Sequence, residues 1–484
     1  MRLHLTNGRL VTPTGLLHAD LLCENGVIAG ILDTGARVDS DERYDAAGKL
    51  VFPGFIDPHV HSRDPGMSHK EDFDHSTRGA LTGGVTTVLE MPNAIPPVDS
   101  VEVFEQRRAQ HERNAWTDFG LWGLALGEPN LDQIGPLFAA GAVAVKLFWG
   151  YALHRETRSL VYNLGDEAPE NLLMPPPNGQ VMRLFEEVAR HGGLLAAHCE
   201  DKDVLATSQE LLGHPIESYE DLLAARPAAA EATTIAIATE FAKATGCRFH
   251  VVHLASEAGL EAVRSAQRRG VRLTAETCPQ YLTLTDADYP RVGPVMKVYP
   301  PVREQRDQDA LWTGVEEGSL VSLGSDHAPH TVEEKSRGFE TQPAGAVGCE
   351  TFGPVLIDAL LRGKTTATRL AEVTATETAK LYGLYPRKGV IRPGSDADLV
   401  VVDPDARRTV RNEELIAKQP VSPWNGFELR GAPVATVLRG EVVVRDREIV
   451  APRRGRFVAA DHSDTADHSD IAGHSGASAG VMGG

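Results

Sequence analysis

Short, nearly unbroken apolar runs recur along the middle of the chain, most of them closing on a polar residue and followed by a stretch with a helical period. Eight such runs are FPGFIDPHVH, VTTVLEMPN, DFGLWGLAL, AVAVKLF, LLAAHCE, RFHVVHLAS, VRLTAETCPQYL and LVSLGSDHAPH. A strand buried on both faces loses the polar/apolar alternation of a half-exposed one, so these runs predict parallel strands covered by helices. Segments such as GQVMRLFEEVARHGG and SEAGLEAVRSAQRRG supply the helices, with glycine after the last turn as the stop signal. Eight βα units over residues 54–387 predict an α/β fold, a (β/α)8 TIM barrel. The competing architecture, a doubly wound open sheet, needs a GxGxxG turn after a strand, and none of the runs is followed by one.

The two ends of the chain carry a different pattern. Residues 1–53 and 388–458 alternate in short runs broken by Gly and Asn, as in LHLTNGRLV, ADLLCENGVIAGI, SDADLVVVDP and APVATVLRGEVVVRDREIV. Period-two alternation predicts antiparallel strands with one covered face. The simplest assembly joins both ends into one small β-sandwich domain. Residues 459–484 repeat ADHSD and hold few large apolar side chains, which predicts a disordered tail with His462, His468 and His474 solvated. Residues 151–179, from YALHRETRSL onward, follow the fourth run and fit neither pattern. An insertion there lies over the mouth of a barrel and is expected to shape substrate choice.

At 484 residues and 42% hydrophobic content, the chain can bury a large core and an accessory unit besides. The formal net charge of −19 offers no footprint for nucleic acid, which leaves small molecules and other copies of the chain as partners. An anionic substrate would have to be drawn in locally against the field of the whole molecule, so an arginine at the pocket carries weight. The five cysteines, Cys23, Cys199, Cys247, Cys278 and Cys349, are odd in number and lack CxxC spacing, which suits a reducing, cytoplasmic setting. No run approaches the ~20 apolar residues of a membrane span, and MRLHLTNGRLVTPTG lacks the make-up of a secretion signal.

Chemistry-bearing residues gather at the carboxyl ends of the predicted strands, where barrel enzymes build their sites. The first run ends in Asp57-Pro-His59-Val-His61, whose histidines at i and i+2 of an extended segment face the same side and can reach one ion. Lys146 ends the fourth run, His198 the fifth, His253 the sixth and Asp326 the eighth. Singly, each has an ordinary explanation: a satisfied polar histidine, a lysine snorkelling to the rim, an aspartate capping the next helix. Together they require several such explanations to coincide.

The set PGFIDPHVH, MPN, VKLF, AHCED, HVVHLAS, ETCPQYL, YPPVRE, SDHAPH and KGVIRPGSDADLVVVD resembles the amidohydrolase superfamily. Within it, the chain is similar to the cyclic amidohydrolases: dihydroorotases, hydantoinases, dihydropyrimidinases and allantoinases. The resemblance runs to about residue 458 and rests on identity, order and spacing of the motifs together. It implies two divalent metal ions, with Zn2+ the expected metal: His59 and His61 on one, His198 and His253 on the other, Lys146 bridging as a carbamate and Asp326 as ligand and general base. The chemistry is coherent, since a neutral lysine amine adds carbon dioxide to give an anion with two oxygens, and paired cations acidify a shared water. The resemblance also implies a homo-oligomer, dimer or tetramer.

Substrate choice rests on groups outside that set. HVHSRDPGMSHKE is similar to the dihydroorotase HxHxR signature and places Arg63 where a bidentate fork could hold a carboxylate. Asn93 in MPN and His330 in SDHAPH match positions that contact the same carboxylate in that family. Tyr151, in KLFWGY, matches the hydantoinase tyrosine that steadies a developing oxyanion. Tyr299 in KVYPPVR departs from the dihydroorotase asparagine, and ETCPQYL resembles hydantoinases. The expected function is therefore ring opening of a cyclic amide, dihydroorotase-like, with hydantoinase, dihydropyrimidinase or allantoinase activity as the alternative and a noncatalytic scaffold behind both.

Overall fold

The computed structural model describes residues 1–161 and 168–462. Eight parallel strands occupy the middle of the chain. In order they are Phe55–Val60, Val85–Glu90, Asp118–Leu121 continued by Gly123–Leu124, Val145–Trp149, Leu194–Cys199, Arg248–Val251, Leu273–Thr277 and Ser322–Leu323. The first three pair in parallel, and the rest pair in parallel from Gly123–Leu124 to Ser322–Leu323. The two sheets meet at Trp122, and a parallel bridge between Val60 and His327 brings the last strand back beside the first. Strands one, two and five are buried at every position, which is why their sequences read as unbroken apolar runs.

Helices follow the strands where the period predicts them. Asn178–Arg190 buries Val181, Leu184, Phe185 and Val188, spaced as one helical face. Glu257–Arg268 begins where the Ser256 hydroxyl accepts the Gly259 N–H, and Gly270 beyond its end takes φ +71°. Among the described residues no helix is long and apolar enough to cross a membrane, and all five cysteines are buried and unpaired in disulfides.

Both chain ends enter one nine-stranded sheet. Arg2–Thr12 pairs with Gly15–Glu24 and with Leu50–Pro53, which in turn pairs with Leu399–Thr409 and so with Glu428–Leu438. Leu5, Leu21, Val51, Leu399, Val401 and Val437, from both ends, share a second core separate from that of the parallel strands. After the fourth strand, Ala152–His154, Leu160–Val161 and Leu172–Leu173 pair as a three-stranded antiparallel flap.

Residues 459–462, expected to belong to a tail, are described and make contacts with the rest of the chain. Asp461 N–H donates to the Gly383 carbonyl at 2.9 Å, and His462 Nε2 to the Ala142 carbonyl at 2.8 Å with its ring edge on Phe138. His462 is thus seated on the protein instead of solvated; His468 and His474 lie outside the described residues. The polar composition of ADHSD hides this, because the contacts are one ring edge on Phe138 and bonds to backbone carbonyls that no repeat announces.

A buried charge cluster fastens the terminal sheet to the amino end of the third strand. Lys388 Nζ lies 2.6 Å from Asp118 and from Asp398 and 2.9 Å from Asp396, and Arg439 also pairs with Asp118. Burial pulls the Lys388 ammonium down, but the Asp118 and Asp398 carboxylates hold it above its ordinary range. The three aspartates could chelate a cation by their spacing; in this fold Lys388 is the cation. Lys388→Met is expected to cost about 3 kcal/mol or more in urea unfolding, because it leaves buried carboxylates short of positive charge. A variant as stable as the parent would show that Arg439 alone neutralises the cluster.

Candidate active site

One cavity holds all six predicted residues: His59, His61, His198, His253 and Asp326 at or just beyond the carboxyl ends of their strands, and Lys146, expected to end the fourth strand, as the second residue of Val145–Trp149. Ring centroids of His59 lie 5.2 Å from His61 and 5.3 Å from His253, and His198 and His253 are 4.7 Å apart. Nε2 of both His59 and His61 sits 3.4 Å from Asp326 Oδ1, so these three side chains offer ligand atoms within 4.8 Å of one another. Lys146 is 0% exposed, and its Nζ has no hydrogen-bond partner.

The outer nitrogens fix how the rings face. His59 Nδ1 donates to Glu276 Oε1 and His61 Nδ1 to Asn93 Oδ1, both at 2.6 Å, which leaves each Nε2 lone pair pointing inward. His198 Nε2 donates to Glu200 Oε2 at 2.8 Å, which turns its Nδ1 toward His253 Nε2 at 3.0 Å. Asp57 accepts the Ser325 N–H at 2.9 Å and ties the first strand to the residue before Asp326. Arg63, His253 and Asp326 have φ of +59°, +41° and +50°. Non-glycine residues there cost of order 1–3 kcal/mol each and persist where surrounding structure holds them. Gly345 on the cavity wall has φ +140°, and a Cβ would sit 2.3 Å from the Ala328 carbonyl oxygen.

Electrostatics set the protonation that cation binding needs. Burial pulls His61 down to about 4, lowers His198 and takes His253 well below its ordinary value, so these rings are neutral lone-pair donors. Burial raises Asp326 and Glu276, but the His59 ring, first among their neighbours, holds both below the usual carboxylate range. Burial also pulls Lys146 down to about 8, against Glu276 and Asp326. An unpartnered buried amine is costly. Neutral imidazoles, an ionised carboxylate and that amine make a donor set that fits a pair of divalent cations with the lysine converted to an anion.

The residues expected to touch substrate separate into two groups. Arg63 and Tyr151 line the cavity; Asn93 and His330 stand behind it. Asn93 Oδ1 accepts from His61 Nδ1, so this side chain orients a ligand ring with its oxygen, while its Nδ2 is the end that could meet a carboxylate. His330 lies 3.2 Å from Arg63 Nη2 and 3.0 Å from the Ala344 carbonyl, which supports the guanidinium. Arg63 is 5% exposed, donates Nε to the Pro329 carbonyl at 3.1 Å, and has no carboxylate partner among the described residues. Asp64 and Asp72, its neighbours in sequence, are bonded instead to Phe73 and Gln110 and to His75 and Lys418. Leu160 of the flap also lines the cavity.

Sequence reasoning missed Arg226. Its guanidinium pairs with the buried Glu200, donates to the Tyr151 hydroxyl at 2.9 Å and lies 3.7 Å from the Tyr299 ring centroid. Burial raises Glu200, but Arg226 holds its carboxyl at about 2. Glu276 was missed too. No local signal marks Arg226, in DLLAARPAAAE, as part of a site; Glu276 closes its strand as the ligands do theirs, and that position was its signal.

The sequence pattern of the amidohydrolase family matches residues 50–443. An allantoinase of Streptomyces avermitilis is 35% identical over 463 residues, covering 95% of this chain and 99% of its own. A dihydroorotase of Ruminiclostridium cellulolyticum is 33% identical over 462 residues, 93% of this chain and 100% of its own. The solved L-hydantoinase (dihydropyrimidinase) from Arthrobacter aurescens superposes with a TM-score of 0.88 at 32% identity, covering 94% of this chain and 99% of that one.

Arg226→Met is expected to destabilise the protein by about 3–5 kcal/mol at neutral pH, since it strands the buried Glu200 charge. Glu200 has a depressed folded value, so its contribution is present above the ordinary 4.5 and lost as pH falls toward about 2. The gap between parent and variant in chemical unfolding should therefore narrow as pH drops through that window. A gap that stays constant would assign the loss to packing on Tyr299.

Proposed function

The chain belongs to the amidohydrolase family, and on that premise we propose that it is a cyclic amidohydrolase that opens an acidic ring of the dihydroorotate class by hydrolysis. The observation that carries the substrate class is Arg63: a nearly buried guanidinium on the cavity wall, held by neutral acceptors and left with its charge for an anion. Within the ring of parallel strands, taken as a (β/α)8 barrel over 54–387 with the terminal sheet as its β-sandwich, the site lies where such enzymes work. Five buried thiols suit the reducing cytoplasm.

His59, His61 and Asp326 would hold one divalent cation and His198 and His253 a second, Zn2+ by ligand type, with Lys146 bridging as a carbamate. When bound, such a pair supplies an acidified water and a polarised carbonyl. Asp326, at the meeting point of the His59 and His61 rings, accepts the proton of the attacking water at Oδ1. It returns that proton to the ring nitrogen as the C–N bond breaks. The Tyr151 hydroxyl, held by the hydrogen bond it accepts from Arg226, donates to the oxygen that gains charge. Arg63 orients the substrate through its carboxylate.

A second reading has its own observation. Phe148, Leu160, Tyr151 and Tyr299 give the cavity an apolar and aromatic side that an uncharged hydantoin or allantoin would also occupy. Assays of dihydroorotate, hydantoins, dihydrouracil and allantoin on one metal-replete preparation decide between them. Arg63→Met is expected to raise KM for dihydroorotate about tenfold or more while changing KM for an uncharged hydantoin little. Equal changes for both would remove the carboxylate assignment. Lys146→Ala is expected to lower kcat by about a thousandfold or more, with partial rescue by short carboxylic acids that replace the carbamate. Full turnover in that variant would overturn the bridge.

A further inference from the structure

Away from the active site, a groove of about 490 Å³ opens where the strands Leu399–Thr409 and Glu428–Leu438 run past the end of the helix Cys349–Leu361. Four arginines line it, Arg362, Arg407, Arg408 and Arg430, with Glu428 the acidic residue on the wall. In a chain of net charge −19 such a concentration runs against the composition.

The register sharpens the point. Arg407 and Arg430 are paired directly across the two strands, so their side chains share a face. Like charges directly opposite destabilise a sheet, and among the described residues no carboxylate ion pair relieves this one. Arg407 donates to the carbonyls of Pro404, Asp405 and Ala406; the Arg430 backbone N–H donates to Asp358 Oδ1 at 2.8 Å, and neither guanidinium has a carboxylate partner among the described residues. The carboxylates nearby are engaged elsewhere: Asp403 with Lys49 at 2.8 Å, Asp358 with Arg362 at 2.6 Å. Glu414 is spread over Arg408 at 3.8 Å, Arg411 at 3.8 Å and Arg447 at 3.3 Å.

We propose that this groove binds an oligophosphate anion, the chain of phosphates being what the arginines recognise. Guanidinium forks match phosphate oxygens in pairs, and two such forks set side by side across a strand pair suit adjacent phosphate groups better than a single one. The volume admits three linked phosphates, alone or as the tail of a nucleoside triphosphate. The groove needs no metal and shares no residue with the cavity of the active site.

The test is calorimetric titration of the full-length, metal-replete protein with sodium tripolyphosphate, alongside orthophosphate, citrate and a nucleoside triphosphate. Tripolyphosphate is expected to bind once per chain, about tenfold or more tighter than orthophosphate or citrate, and to weaken as salt rises. Arg407→Ala/Arg430→Ala should reduce that binding about tenfold or more with turnover unchanged. Arg430→Glu should abolish it while raising Tm, because it sets opposite charges across the pair. Equal affinity for the nucleoside triphosphate and tripolyphosphate supports recognition of the phosphates; a much tighter nucleotide would mean that the base is read and would overturn it. Binding unchanged in the double variant, citrate binding as tightly, or a changed oligomeric state in that variant would each overturn the proposal, the last by assigning the arginines to contact between chains.

Discussion

An amine sealed inside a protein has to be neutral, paired or converted into something else, and Lys146 is sealed in one cavity with four imidazoles and a carboxylate, its Nζ without a hydrogen-bond partner among the described residues. That constraint organises the site. The fourth strand cannot bury a bare ammonium beside His198 and His253 cheaply, and burial already brings the group down to about 8, where the reactive neutral amine is well populated. As a carbamate, the same side chain supplies the anionic oxygens that two cations would need between them. Neutral His61, His198 and His253 and the ionised Asp326 around it are in protonation states that suit such a centre.

The remaining structure holds that arrangement in place. Glu276, Asn93 and Glu200 each take the outer nitrogen of a ring, so the inner one is aimed without being used up. Positive φ at Arg63, His253 and Asp326 shows backbone energy concentrated around the cavity. The opposite end of the third strand carries the Lys388 cluster, which fixes the terminal sheet by ion pairs that never approach the site. Chemistry and fastening thus occupy opposite ends of the same strands.

The parts legible in the sequence are those whose cause is local. An i, i+2 pair of histidines closing an apolar run specifies its geometry within three residues, and His198, His253 and Asp326 stand at or just beyond the ends of their own strands, while Lys146 lies inside its strand. Glu276 closes a strand as well, yet its meaning comes from His59, 217 positions away, and that pairing exists only once the ring of strands is formed. Arg226 is harder still, since it sits in an alanine-rich stretch and acts through Glu200 and Tyr151. Asn93 adds a second role to a readable position: its Oδ1 orients His61, which no spacing announces. The seat of His462 on Phe138 and Ala142 was masked by a polar repeat whose composition says nothing of the backbone bonds beside it.

The claim that six side chains hold two cations bridged by a modified Lys146 is tested most directly by anomalous diffraction from crystals of the metal-replete protein. The account predicts two anomalous peaks, one beside His59 and His61 and one beside His198 and His253, with density extending beyond Lys146 Nζ between them. A single peak, or two peaks beside an unmodified lysine, would contradict it.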